Sequence, residues 1–308
     1  PSTVISRVEI RNGQLLMSNL IDPSDRPGPV FLTVDNISSV LRQVNLGSFL
    51  DPASSAAATQ GALKADSLRF GAIQATSVRA KLRLLREQIS LKDVELDAYG
   101  GRLFGGLSFN LAGQNARFSA NAQMNGINVA RLLTAFEGGG GEMTGTMEGN
   151  LALAGEIEHT DNPLVGVHGT GRLTVRRGEV PSLRLNLNLM KLAHYNNLGP
   201  ARQDPASFSS IAADFELANL RISSRKINIT GYGVDVDGSG SIRVAGADDL
   251  AYQGVAEIVT KQSFFTNLVA RLYGASLKNG KLLFPFHVSG TLENPKFTEG
   301  GAGDPDPH

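Results

Sequence analysis

Apolar and polar residues alternate strictly along much of this chain. Val78, Ala80, Leu82 and Leu84 interleave with Arg79, Lys81 and Arg83, which sets one row on an apolar face and the other in water. Val94 to Ala98 repeats the pattern, as do Phe118, Ala120, Ala122 and Met124 against Arg117, Ser119, Asn121 and Gln123. The longest cases run from Val165 to Val175 and from Leu282 to Leu292. A period of two with one wet side predicts antiparallel strands. Asn12-Gly13, Gly100-Gly101, Asn279-Gly280 and the Gly238-Ser239-Gly240 cluster supply turn chemistry, so hairpins should dominate the connections. At about 5 to 8 residues per strand, the chain has room for on the order of 15 to 20 strands.

Three segments break this period. Over 126–137, Ile127, Leu132, Leu133 and Phe136 fall near one helical face, and the glycines from Gly138 to Gly141 stop it. The stretch 181–197 opens with Pro181 and carries Leu183, Leu187 and Met190 at helical spacing; Leu183, Leu185, Leu187 and Leu189 also read as a strand, and helix is the favoured reading. Over 263–276, Phe264, Leu268 and Leu272 form a helical stripe that Phe265 and Val269 widen. The segments 51–61 and 196–207 read as mobile loops. The chain divides loosely into two halves, 1–160 with a helix near 127–137, and 161–299 with helices near 181–197 and 263–276. A disordered tail is expected over 300–308.

Composition narrows the classes of function. Hydrophobic residues make up 41% of the 308 residues and charged ones 19%, against roughly 25% in an average soluble domain, so something must cover a large apolar surface. Lys plus Arg and Asp plus Glu are both 29, which leaves no basic excess for phosphate-backbone binding; no nucleic-acid partner is expected. Cysteine is absent, which removes disulfides and thiolate metal sites. No stretch approaches the roughly 18 apolar residues of a spanning helix. The chain opens at Pro1 without a signal peptide, and is expected to be processed or truncated.

Candidate chemistry is sparse. None of His159, His168, His194, His287 and His308 lies at ligand spacing from another, and Glu156 to Asp161 gathers acids around His159 only within an expected loop. Asp235-Val236-Asp237-Gly238 lacks the closing glutamate of a calcium loop, and alternating aspartates on a wet strand are the simpler account. The glycine run 138–141 has no following Lys-Ser or Lys-Thr, and no nucleophile elbow occurs. No catalytic residue, metal or cofactor is predicted, and an enzyme is not expected.

Several short motifs then fall in a telling order. Tyr99-Gly100-Gly101 with Leu103 and Gly105 is followed by Gly126-Ile127-Asn128-Val129, which leads into Leu132-Leu133. Gly169-Thr170-Gly171-Arg172-Leu173 and Gly178-Glu179-Val180-Pro181 come next. The run ends with Pro285 to Leu292 and Asn294-Pro295-Lys296-Phe297. Over roughly Ile5 to Phe297 this order resembles the AsmA family, which includes the TamB-like envelope proteins. At one strand turn the chain has Asn219-Leu220 where the family pattern leads one to expect Asn-Gly.

The resemblance implies a mainly β fold: a large, curved, mostly antiparallel sheet forming a taco-like groove, with about three short helices capping or covering it. It further implies a periplasmic location, held at the inner membrane by an amino-terminal anchor that this sequence does not include. The implied role is movement of phospholipid toward the outer membrane and upkeep of the envelope. Alternation alone suits a bent sheet and a sandwich equally.

The physical case for a groove is that a two-chain phospholipid exposes on the order of 30 methylenes, so its unassisted passage through water costs roughly 20 kcal/mol. Candidate lining residues are Val78, Leu82, Val94, Leu96, Leu107, Phe109, Phe118, Met124, Leu173, Val175, Phe215, Ile227, Ile229, Val234, Val236, Leu282, Phe284 and Phe286. Each also reads as ordinary core. The expected partners are phospholipid or another acyl-chain lipid, the inner membrane, and an outer-membrane protein. The alternative is a scaffold for outer-membrane assembly whose terminal strands pair with another sheet.

Overall fold

The computed structural model describes residues 4–18, 30–45, 58–70, 73–112, 116–135, 143–157, 166–181, 184, 188–189, 207–231, 234–243, 249–259, 276–278, 281–291 and 294–300. They form a mainly β, antiparallel protein whose sixteen strands follow one another in sheet order almost as they do in sequence. The chain separates into two compact units, residues 1–138 with 150–167 and residues 139–149 with 168–308.

The first unit carries β1 (Val4–Ser18), β2 (Val30–Asn45), β3 (Thr59–Phe70), β4 (Ile73–Leu85), β5 (Gln88–Ala98), β6 (Gly101–Asn110) and β7 (Ala116–Asn128). Each pairs antiparallel with the next. Helix α1 (Val129–Ala135) follows β7. Asn128 caps it, its Oδ1 accepting a bond from Arg131 N at 2.9 Å, and Val129 anchors it with 4% exposure. Strand β8 (Thr146–Ile157) contributes residues to both units: Glu156 meets Arg117 of β7 in the first, and Glu148 meets Arg176 in the second.

The second unit continues with β9 (His168–Glu179), β10 (Ser207–Ala218), β11 (Arg221–Gly231), β12 (Val234–Arg243), β13 (Leu250–Val259), β14 (Ser276–Lys278), β15 (Lys281–Gly290) and β16 (Pro295–Glu299). Strands β14 and β16 both pair with β15, one toward each of its ends. Pairing again is antiparallel throughout β9 to β16.

Among the described residues α1 is the one helix, fewer than the three expected. Of the stretch 181–197, only Pro181, Arg184, Asn188 and Leu189 are described; Asn188 N donates to Arg184 O at 2.9 Å, the i to i+4 bond of an α-helix, and Asn188 and Leu189 are helical. The helix expected over 263–276 lies outside the described residues up to its last position, Ser276, which opens β14.

Two expected turns are strand interior instead. Asn12, at φ 53°, and Gly13 form an irregularity within the 15-residue β1, where the register to β2 shifts on both sides of Gly13. An Asn-Gly pair supplies positive φ, and a β-bulge uses that as readily as a hairpin does. Gly238 to Gly240 lie inside β12 for a packing reason given below. Asn279-Gly280 lies outside the described residues.

The reverse surprise is Asn219-Leu220, which closes a two-residue hairpin between Ala218 and Arg221 with φ of 52° and 58°. Both positions need the left-handed region, which costs a non-glycine residue roughly 1 kcal/mol. Leu220→Gly is therefore expected to raise the melting temperature by about 2–4 °C in a thermal unfolding scan.

Candidate functional site

Cross-strand register turns the alternation into continuous apolar rows. In the first unit Leu84, Ile89, Phe109 and Phe118 stand directly opposite one another across β4 to β7. Leu82, Leu91, Leu107 and Ala120 form the next row, Val94, Gly105 and Ala122 another, and Leu96, Leu103 and Met124 a fourth. Bulges keep the rows aligned. The register slips at Ser77, φ 55°, and at Asp93, φ 50°; the second slip returns Val94 to the apolar face of Leu91, on which alternation alone does not place it, while Val78 shares that face with Leu82 by alternation.

All eight lining candidates of this unit, Val78, Leu82, Val94, Leu96, Leu107, Phe109, Phe118 and Met124, share that face. They are not equally covered. Val78 and Met124 are buried at 5% and 8%, and Val78 packs with Val34 and Ala65 in a small core. Leu82, Leu84, Ile89, Leu91, Leu107, Phe109 and Phe118 are only half-buried. Leu84, Ile89, Leu91 and Leu103 line the same face but were not among the lining candidates, although the same period of two runs through Ile89 and Leu91.

The second unit treats its apolar face differently. Val175, Ile211, Ile229, Val236, Ala256 and Phe284 form one row across β9 to β15, and Leu173, Ala213, Ile227, Gly238, Gly254 and Phe286 form the next. Leu173, Val175, Phe215, Ile227, Ile229, Val234, Val236, Leu282, Phe284 and Phe286 all fall on this face. Toward β12, β13 and β15 it is filled. Leu189, Val234, Val236, Leu282, Phe284 and Phe286 are at most 2% exposed and pack as one cluster. Among the described residues, Leu189, from the segment after β9, packs onto this cluster from outside the strands. Toward β9 to β11, Leu173, Phe215, Ile227 and Ile229 remain half-buried.

Tyr252 explains the strand glycines. Its ring lies over Gly238 and Gly254, where an added Cβ would collide with the phenol oxygen, and it packs on Phe286 at 5.7 Å between ring centroids. The same oxygen has no hydrogen-bond partner among the described residues, and burial, with Asp237 adding to it, pushes the phenol well above its ordinary pKa. An unpaired buried hydroxyl is a cost, so Tyr252→Phe is expected to stabilise the chain by about 1 kcal/mol in chemical denaturation.

The opposite face is polar and held by cross-strand ion pairs. Arg172 reaches both carboxylate oxygens of Asp214, at 2.5 and 3.0 Å, and its guanidinium holds that carboxyl below the usual range. Lys281 meets Glu257 at 2.7 Å, and Asn228 bonds Asp237. These aspartates sit on the wet rows of paired strands. His168 is exposed on β9 and His287 half-buried on β15, while His159, His194 and His308 lie outside the described residues. Among the described residues no three His, Asp or Glu side chains gather as a metal set. No described helix is long and apolar enough to cross a membrane.

Fold and site together define a β protein of two antiparallel sheet units, each with one apolar and one charged face. A family model, the AsmA family, matches residues 34–227, well over half of the chain. The chain belongs to the AsmA family. Neither the curated proteins nor the solved structures contain a match to it.

Proposed function

We propose that this chain is a non-enzymatic, lipid-binding part of an envelope protein that passes phospholipid between the inner and outer membranes. The observation that carries the reading is the half-buried apolar face on β4 to β7, where Leu82, Leu84, Ile89, Leu91, Leu107, Phe109 and Phe118 lie side by side. An apolar patch of this kind marks a surface meant for an apolar partner. Aliphatic and phenyl side chains offer acyl chains a surface without directional bonds, so neighbouring rows bind nearly equally well and a chain can slide between them. Membership of the AsmA family supports an envelope setting.

The test is loading: the chain is incubated with vesicles carrying a pyrene-labelled phospholipid and separated from them. Label that stays with the chain in stoichiometric amount supports the reading, and its absence removes it.

A second reading, strand addition to another protein's sheet, is favoured by β1. Its Val4, Ile5, Ile10, Leu15 and Leu16 are 38–54% exposed at the end of the strand order.

A further inference from the structure

The charged face of the first unit carries an anomaly that the apolar face does not explain. Three pairs of cations stand directly opposite one another on neighbouring strands: Arg7 and Arg42 across β1 and β2, Lys64 and Arg79 across β3 and β4, and Lys81 and Lys92 across β4 and β5. Register places Arg83 on the same face, linked to Arg42 through Gln60. Like charges directly opposite in a sheet repel, and a neutral Ser or Thr at any of these wet positions avoids the repulsion.

The protein's own acids relieve little of it. Lys81 binds Asp93 at 2.6 Å and Arg7 lies 3.6 Å from Glu9, while Glu95 stands opposite Arg79 without a bond. Arg42, Lys64, Arg79, Arg83 and Lys92 are exposed. Against the six cations Arg42, Lys64, Arg79, Lys81, Arg83 and Lys92, the patch holds three carboxylates, Asp93, Glu95 and Asp66, the last of which accepts a hydrogen bond from Asn36. The second unit also has three like-charge oppositions, Arg221 with Arg243, Lys278 with Lys281 and Asp235 with Glu257. They are of mixed sign, and each has a bridged member: Arg221 to Asp249, and Lys281 to Glu257.

We infer that this face, centred on Lys81, Arg83 and Lys92, is a docking surface for an anionic phospholipid bilayer. A pleated sheet spaces its neighbours about 4.8 Å apart across strands and roughly 7 Å along them, so the cations form a regular lattice on long, flexible stems that can level their charged ends. An anionic membrane surface complements an extended array of positive charge, and its headgroups remove the repulsion that the sheet leaves standing. The inference uses the face opposite the one assigned to acyl chains and does not depend on that assignment. A membrane held here leaves the apolar face free.

The test is co-sedimentation of the chain with vesicles containing phosphatidylglycerol, and with neutral phosphatidylcholine vesicles, at low and high salt. Binding to the anionic vesicles alone, released by salt, is expected. The triple variant Lys81→Gln, Arg83→Gln, Lys92→Gln should bind about 100-fold more weakly, near fivefold per charge. Its thermal unfolding should not suffer, because exposed side chains are changed and a repulsion is removed. A second triple variant, Arg225→Gln, Lys226→Gln, Lys296→Gln, removes the same charge from exposed positions of the second unit and should bind as the unaltered chain does. Equal weakening in both triples would overturn the inference, as would equal binding to neutral and anionic vesicles, or capture by a soluble polyanion without preference for the bilayer. Uptake of pyrene lipid, measured in parallel, should be retained in the first triple, so failure of the acyl reading and failure of this one give different results.

Discussion

Truncating Phe284 to alanine is expected to cost about 3–5 kcal/mol and to lower the urea midpoint sharply. The side chain is 1% exposed and sits among Val236, Ala256, Leu282 and Phe286, with Leu189 in the same cluster. Removing a phenyl group there forfeits its transfer energy and leaves a cavity that paired strands on both sides cannot close. A loss below about 1 kcal/mol would mean that this cluster is not packed as described.

Phe118→Asp should behave in the opposite way. Phe118 ends the row of Leu84, Ile89 and Phe109 and is only half-buried, so a carboxylate there keeps contact with water and the fold loses about 1–2 kcal/mol. An acyl chain laid along the row has to desolvate that charge, a penalty of at least a few kcal/mol, so pyrene-lipid uptake should fall at least tenfold. The pair of variants separates the two halves of the apolar surface. Phe284 reports on packing, Phe118 on binding. Equal loss of stability in both would make the β4 to β7 face ordinary core.

Much of this was legible in the sequence because a period of two leaves little choice of face. Every one of the eighteen lining candidates lies on the apolar side of its unit, and the order of motifs from Tyr99 to Phe297 pointed to the AsmA family, whose model matches residues 34–227. What the sequence could not supply was coverage. Phe109 and Phe284 read alike in their strands, yet one is half-buried and the other sealed, because covering residues such as Leu189 are distant in sequence. Glycine clusters misled for a related reason. Gly238 looks like turn chemistry until the ring of Tyr252, fourteen positions on, is seen to need the space. Bulges at Ser77 and Asp93 shift the alternation by one residue, a change that follows from positive φ and leaves no signature in residue type. The like-charge pairs were equally hidden, since Lys81 and Lys92 become neighbours only through the register of β4 and β5.

Native mass spectrometry of the chain, purified in mild detergent and then stripped of it, decides whether the apolar face of β4 to β7 holds lipid. Phospholipid is expected to co-purify with the chain, to be identified by extraction, and to be lost in Phe118→Asp while Tyr252→Phe retains it. A lipid-free chain that also takes up nothing from vesicles would contradict this and leave the exposed β1 edge as the surface to pursue.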